Sequence, residues 1–137
     1  MSDVELIKKM YDDYFVRGDV DAVIAILDPA IEWAEPDLEY LPYTGLTKGR
    51  DNVAKNVFPK IPETYERLLF SPEVFIDGGD TVTVMGTCFA KGANNPEEQF
   101  PFAHVVKLRD GLIVRFDHFV DTNKIARTLG GPVKRSS

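Results

Sequence analysis

Residues 100–120 read FPFAHVVKLRDGLIVRFDHFV, and this stretch decides the fold. Two apolar runs flank the pair Asp110-Gly111, a pattern that predicts a β-hairpin. A two-residue Asp110-Gly111 loop would send the chain's two histidines, His104 and His118, to opposite faces of the sheet. A three-residue loop with Gly111 in the left-handed conformation sends both to the same face. We therefore predict the three-residue loop.

The predicted register sorts the hairpin into an apolar face and a charged face. It opposes Leu108 to Leu112, Val106 to Val114, His104 to Phe116 and Phe102 to His118. The apolar face also holds Val120, and the other face holds Lys107, Arg109, Arg115 and Asp117. Both imidazoles then lie on the apolar face, where a polar group is costly unless it has a partner or a function.

The composition is that of one globular domain. The chain has 137 residues, of which 44% are hydrophobic and 28% charged, and its net charge is −6. No basic stripe is present to bind nucleic acid or an anionic membrane, and no apolar run approaches membrane-spanning length. The N-terminus lacks the features of a signal peptide, and the single Cys88 excludes a disulfide framework. We expect one cytoplasmic domain over residues 1–137, with a frayed tail at 132–137.

Helical patterns precede sheet patterns along the chain. Apolar spacing predicts helices over about 2–16, 19–27 and 50–58, and a last short helix over 121–129. Alternation predicts strands over 30–36, 64–76, 81–90, 99–109 and 112–121, with residues 36–48 as a loop. This order predicts an α+β fold in which helices pack on one face of a curved sheet.

Several short segments carry a resemblance to a known superfamily. They are Arg17-Gly18-Asp19-Val20-Asp21, Ile31-Glu32-Trp33 with Glu35-Pro36, Pro42-Tyr43-Thr44-Gly45 with Lys48-Gly49-Arg50, Phe102-Ala103-His104-Val105, and Arg109 to Val114 leading to Phe119-Val120-Asp121. Together they resemble the nuclear transport factor 2-like superfamily, and within it the SnoaL-like and ketosteroid-isomerase-like proteins.

The resemblance implies a cystatin-like α+β barrel. In such proteins a curved, mixed or antiparallel sheet wraps around the N-terminal helices and encloses a conical pocket. It further implies a homodimer that pairs through the outer sheet face, here Val105, Ile113 and Phe119 among charges. The families are mostly free of cofactors, so we expect none. The fold alone does not fix the reaction, because it hosts isomerases, cyclases, hydrolases and non-catalytic binders.

Four polar residues are candidates for catalysis. Glu35 shares a predicted strand face with Ile31 and Trp33, and a desolvated carboxylate suits a general base. The resemblance places Glu35 where isomerases hold an Asp base, and His104 where they hold a protonated acid that stabilises an oxyanion. SnoaL-like cyclases more often carry a His at the latter position. His118 stands where cyclases carry a catalytic Asp, and Tyr11 matches the isomerase oxyanion Tyr.

Six aromatic residues are expected to bind the substrate. Tyr14 lies one helical turn from Tyr11, and Trp33, Phe102 and Phe116 would line the pocket wall. Tyr40 and Tyr43 lie in a loop flanked by Pro and Gly that would close over the mouth. For each of these aromatic residues, simple packing is the competing interpretation.

The sequence leaves more than one function open. The first is a cofactor-independent isomerase or cyclase (a lyase) acting on a small, apolar, polyketide-like or steroid-like carbonyl compound. Glu35 or His118 would remove a proton, and Tyr11 and His104 would hold the enolate. The alternatives are a non-catalytic, dimeric small-molecule-binding module and a hydrolase of the epoxide-hydrolase type. The last ranks lower because Arg115 is predicted on the opposite face.

A metal site is a further possibility. Glu35, His104 and His118 supply two imidazoles and a carboxylate, the ligand set of a non-haem iron site. The two histidines lack the close helical spacing of common metal motifs, so we predict no metal. No glycine-rich phosphate loop opens a helix, so nucleotide binding has no support either.

Overall fold

The computed structural model describes residues 1–130, in which helices flank a six-stranded sheet. The helices are α1 (Asp3–Tyr11), α2 (Val20–Ile24), α3 (Arg50–Asn56), α4 (Lys60–Thr64) and α5 (Thr122–Leu129), and a π-helical segment (Asp12–Val16) continues α1. The strands are β1 (Leu27–Ala34), β2 (Leu46–Lys48), β3 (Arg67–Asp77), β4 (Thr81–Lys91), β5 (Glu98–Arg109) and β6 (Leu112–Val120). The tail predicted to fray, residues 132–137, lies outside the described residues. Within residues 1–130, every helix is too short or too polar to cross a membrane.

The sheet order is β2-β1-β6-β5-β4-β3. Only β1 and β6 run parallel, and the remaining neighbours are antiparallel. This confirms the predicted α+β fold with a curved mixed sheet. Two short elements were not predicted: β2, whose three residues show no buried face, and α4, which accommodates Pro62 in its first turn.

Side-chain caps fix the N-terminal helices. Ser2 and Glu5 form a reciprocal capping box at the start of α1, and the Asp19 carboxylate accepts from the Ala22 N–H at the start of α2. The predicted helix over 2–16 becomes π-helical after Tyr11, where the Arg17 N–H donates to the Asp12 carbonyl. A π segment is wider than an α turn and is often found at functional sites. Here it carries aromatic side chains towards the sheet.

The first strand starts earlier than predicted. It spans Leu27–Ala34 instead of 30–36, although Pro29 lies within it. The pairing with β6 is irregular between Leu27 and Glu32, so the missing N–H of Pro29 costs no ladder hydrogen bond.

The β5–β6 hairpin corrects the predicted register. Its turn is the two-residue loop Asp110-Gly111, with φ of 53° and 76°, and this turn pairs Leu108 with Ile113. A β-bulge follows in β6, where Val114 is the extra, unpaired residue. The prediction of a three-residue loop was therefore wrong.

The bulge nevertheless restores the predicted facing of the histidines. One extra residue shifts the alternation of β6 by one, so His118 faces the same side as His104. The two histidines oppose each other directly, instead of opposing Phe116 and Phe102 as the sequence predicted. Ile113 also turns inward and is 0% exposed, so its assignment to the outer face was wrong.

The backbones of β3 and β4 approach each other closely at one point in the sheet. Pro72 opposes Gly86, and β3 carries an extra residue, Glu73, just after this pair. A Cβ atom on Gly86 would lie 2.0 Å from the Ser71 carbonyl oxygen. Because no side chain fits there, glycine allows the close approach of the two strands at the bulge.

One face of the sheet packs against the helices and the other is open. Fully buried aliphatic side chains from helices and strands form the core between them: Ile7, Leu27, Ile31, Val53, Val82, Val84, Val106 and Ile113. The open outer face holds Phe119, Met85 and Val74, which are 56%, 47% and 48% exposed.

Candidate active site

A buried carboxylate–imidazole pair lies at the end of β1. The parallel register places Ala34 beside Asp117, so the next residues, Glu35 and His118, are neighbours. Glu35 Oε1 lies 2.8 Å from His118 Nδ1, and the two side chains are 7% and 9% exposed. The indole Nε1 of Trp33 donates to the other carboxylate oxygen at 3.1 Å. Both oxygens of Glu35 are therefore engaged by neighbouring donors.

The hydrogen bonding of the second ring nitrogen of His118, Nε2, is unusual. Because a carboxylate only accepts hydrogen bonds, Nδ1 carries a proton when it bonds Glu35. In the neutral ring this leaves Nε2 as the acceptor. That atom is buried and has no hydrogen-bond partner within residues 1–130. A native protein rarely leaves a buried polar atom unpaired, and a reactive role is one established reason.

His104 forms the second polar pair. Its Nδ1 lies 2.5 Å from the hydroxyl oxygen of Tyr11, which reaches the sheet from α1. Burial, followed by repulsion from His118, lowers the pKa of His104 well below its ordinary 6.5. Burial also raises the pKa of Tyr11, so both groups are neutral at pH 7. When the Tyr11 hydroxyl donates to Nδ1, the ring proton of His104 is on Nε2, which is then a donor.

The two pairs meet across β5 and β6. The ring centroids of His104 and His118 are 4.8 Å apart, with the planes at 64°. One imidazole thus offers an unpaired acceptor beside a second, neutral imidazole that offers a donor. This is the combination that proton transfer next to an oxyanion requires.

Both pairs open into an apolar cavity between the sheet and the helices. Its volume is about 70 Å³, and its lining includes Tyr11, Glu35 and the two histidines. Aromatic rings form much of the wall. Trp33 stacks on Phe116 with ring centroids 3.9 Å apart, and Phe58 packs edge-on against Trp33 with centroids 5.2 Å apart. No Lys or Arg is among the lining residues of the described chain.

The structure brings most of the predicted site residues to this cavity. Tyr11, Tyr14, Trp33, Glu35, Tyr43, His104, Phe116 and His118 all line it. Phe102 does not; it is buried behind the wall against Phe70 and His104. Tyr40 does not either, because its hydroxyl donates to the Thr122 carbonyl at 3.2 Å and ties the loop to α5.

Sequence reasoning missed several lining residues, of which Tyr65 matters most. Tyr65 is 5% exposed and follows α4, an element that was not predicted. Phe70 and Phe58 also line the cavity. In the sequence these residues look like ordinary apolar positions of a strand and a helix, so no local signal distinguishes them.

Arg115 lies outside the cavity, as predicted. Its guanidinium donates to the Asp117 carboxylate from two nitrogens at 3.0 and 2.8 Å, and the third nitrogen lies 3.8 Å from Glu32. Across residues 1–130, no three His, Cys, Asp or Glu side chains are grouped so as to hold a metal ion.

Comparison with known proteins agrees with this architecture. The SnoaL-like domain family matches residues 7–116 of the chain. A comparison with curated proteins gives no match. An NTF2-like protein of unknown function from Burkholderia pseudomallei K96243 is 27% identical, with 94% of this chain and 98% of that chain covered and a TM-score of 0.86.

Two further solved structures are similar in fold alone. TerC, co-crystallized with polyporic acid, is 22% identical, with 93% of this chain and 98% of that chain covered and a TM-score of 0.84. A candidate SnoaL-like polyketide cyclase from Jannaschia sp. CCS1 is 17% identical, with 94% of this chain and 92% of that chain covered and a TM-score of 0.74.

Proposed function

Because the chain belongs to the SnoaL-like domain family, we propose that it is a cofactor-independent isomerase or cyclase that acts on a small, apolar carbonyl compound. One observation carries this proposal. The Nε2 of His118 is buried and has no hydrogen-bond partner among residues 1–130, while Glu35 holds the ring through Nδ1 beside a neutral His104, in a cavity with largely apolar walls. A packing histidine would have its second nitrogen satisfied.

The geometry supports a division of roles between the two pairs. His118 Nε2 removes a proton from the carbon next to the substrate carbonyl, and Glu35 orients the ring and stabilises the imidazolium that forms. His104 donates from its own Nε2 to the carbonyl oxygen as it becomes an enolate, while Tyr11 positions His104. His118 then returns the proton at another carbon, or the enolate carbon attacks a second carbonyl carbon and closes a ring, and the oxygen of that carbonyl takes the proton from His118.

The expected rate effects follow from general magnitudes. A positioned general base contributes about 10²–10⁴-fold, and an oxyanion donor about 10²–10³-fold. Tyr11 is a positioning residue in this scheme, since its hydroxyl is already engaged by His104. This differs from the expectation that Tyr11 and His104 act as two independent donors.

The cavity supports a small substrate. A volume of about 70 Å³ is well below the roughly 300–1,000 Å³ of most ligand sites. A one-ring compound would enter by displacing partly exposed rim residues such as Tyr14, Phe15, Ile61 and Leu68, whereas a four-ring steroid demands a much larger rearrangement. The description of the Jannaschia protein as a candidate polyketide cyclase also favours a polyketide-like compound.

We also propose that two copies pair through the outer sheet face. Phe119 opposes Ala103, Ala103 opposes Met85 and Met85 opposes Val74, so these residues form one row across β6, β5, β4 and β3. Three of the four are about half exposed. A contiguous apolar row of this kind marks an interaction surface, and in a two-fold dimer the same row of each copy packs against its counterpart.

Hydrogen exchange with solvent tests the catalytic proposal without knowledge of the natural substrate. The methyl hydrogens of acetophenone lie next to its carbonyl, so their replacement by deuterium in heavy water, followed by NMR, reports enolate formation. The wild-type protein should accelerate this exchange over buffer. Glu35→Gln and His118→Gln should each reduce the protein-dependent rate about 10²-fold or more.

A matched control is available on the same strand. Glu32 lies on the outer face beside Arg115, and its side chain is 45% exposed, so Glu32→Gln should leave exchange unchanged. Binding of the ketone without faster exchange would refute the enzymatic proposal in favour of a non-catalytic binding module. Equal rates for Glu35→Gln and the wild type would refute the assigned dyad.

A further inference from the structure

The cavity contains a second polar group that the proposed reaction does not use. Tyr43 and Tyr65 both line it, and they are 7% and 5% exposed. Each hydroxyl is close enough to the other to affect its pKa. Tyr43 comes from the loop before β2 and Tyr65 from the end of α4, so two separate segments deliver their hydroxyls to one place.

A count of protons shows that this pair has unused donor capacity. Each tyrosine hydroxyl donates one hydrogen bond and accepts up to two. Even when the two hydroxyls bond each other, that bond consumes only one of their two protons, whichever of them donates. One O–H of the pair is thus left for another acceptor, and the described residues show no further partner for it. A ligand oxygen in the cavity would satisfy it.

The charge around the pair restricts which oxygen fits. Burial raises the pKa of both phenols, and the nearby Glu35 carboxylate raises each further, so they remain neutral donors. The same carboxylate repels a second negative charge, and no Lys or Arg of the described chain lines the cavity to offset it. A carboxylate-bearing ligand would be buried without a counter-ion, which is costly. A neutral hydroxyl, ether or ketone oxygen incurs no such cost.

We propose that Tyr43 and Tyr65 form an oxygen subsite that selects carbonyl substrates bearing a second, uncharged oxygen. The inference rests on the proposed function in that it takes the substrate to be a carbonyl compound bound by the two histidines. It makes the preferred class a hydroxy-ketone, alkoxy-ketone or diketone, and it excludes keto acids.

Three ring compounds of nearly equal shape test the subsite. Acetophenone has the carbonyl alone, 4-hydroxyacetophenone adds a neutral oxygen at the far end, and 4-acetylbenzoate adds a carboxylate there. Trp33 is the chain's single tryptophan, lines the cavity and bonds Glu35, so its indole N–H resonance in a ¹H–¹⁵N spectrum reports occupancy. Titration of each compound gives a dissociation constant without optical interference.

We expect 4-hydroxyacetophenone to bind about 3- to 10-fold more tightly than acetophenone, which corresponds to one hydrogen bond. We expect 4-acetylbenzoate to bind at least about 10-fold more weakly than acetophenone. After a single substitution, the hydroxyl of the remaining tyrosine could still donate to the ligand. The decisive variant is therefore the double change Tyr43→Phe with Tyr65→Phe. It should reduce the advantage of the hydroxy compound to below about 2-fold.

Tyr40→Phe is the matched control, since the Tyr40 hydroxyl bonds the Thr122 carbonyl and Tyr40 does not line the cavity. The Tyr40→Phe variant should keep the full preference for 4-hydroxyacetophenone over acetophenone. An equal affinity for the three compounds, an unchanged preference in the double variant, or no shift of the indole resonance with any of them would overturn the subsite. Loss of deuterium exchange with the ranking intact would instead overturn the proposed function and leave the subsite as a binding site.

Discussion

Replacing His104 by glutamine should remove a pH-dependent loss of stability that the wild-type protein shows in mild acid. His104 is 4% exposed, and its pKa lies well below 6.5 because the ring is buried, with repulsion from His118 as the smaller cause. In the unfolded chain the ring returns to its ordinary pKa of 6.5. The unfolded state therefore binds a proton that the folded state excludes, and acidification favours unfolding.

The magnitude follows from that difference. At about pH 7.5, about a tenth of the unfolded chains carry the proton on His104, and at about pH 5.5 about ten elevenths do, while the folded ring stays neutral at both. The quantity that enters the free energy is one plus the ratio of protonated to neutral unfolded chains. It is about tenfold larger at the lower pH, which corresponds to about 1.4 kcal/mol of unfolding free energy. The stability is present above pH 6.5 and is lost progressively as the pH falls below it.

Urea denaturation followed by circular dichroism at the two pH values measures this loss. The drop in unfolding free energy should be about 1.4 kcal/mol larger for the wild type than for His104→Gln, since contributions from other groups cancel between the proteins. Glutamine retains a hydrogen-bonding partner for the Tyr11 hydroxyl. A difference below about 0.5 kcal/mol would refute the statement that the folded protein keeps His104 neutral.

Two further predictions concern the sheet. Gly86→Ala should destabilise the protein by about 3 kcal/mol in urea denaturation, because the new Cβ would lie 2.0 Å from the Ser71 carbonyl oxygen. The neighbouring strand β3 cannot move away without losing its pairing with β4. A loss under about 1 kcal/mol would contradict the close approach of β3 and β4. Met85→Glu should convert a wild-type dimer into a folded monomer in light scattering coupled to size exclusion, because it places a charge in the middle of the apolar row on the outer face. A monomeric wild-type protein would refute the proposed interface.

The hairpin shows how far local sequence reasoning extends. Alternation in residues 100–120 predicted both strands and placed both histidines on the core face, because each strand must bury its apolar side. The loop length and the pairing were wrong. A two-residue Asp-Gly turn and a bulge at Val114 produce the same facing as a three-residue loop, so the burial pattern alone does not distinguish the two.

The short elements were missed for a related reason. Within residues 1–130, β2 is three exposed or half-buried residues that pair with β1 alone, and α4 is a short helix that follows Pro59 and contains Pro62. Neither has a periodic apolar pattern of its own, since each is held in place by the elements next to it. The position of Tyr65 at the cavity depends on α4, and so it was missed as well.

The sequence by itself determined the α+β class, the order of the main helices and strands, and the face of the sheet on which both histidines lie. These properties follow from apolar periodicity and capping residues, which act over a few positions along the chain. Only the tertiary structure decided that Glu35 bonds His118, that Tyr11 bonds His104, and that Tyr43 and Tyr65 line the same cavity. These partners are far apart in the chain, and they meet because strand register and helix docking bring their side chains together. Both are set by the packing of the whole domain, which no local pattern encodes.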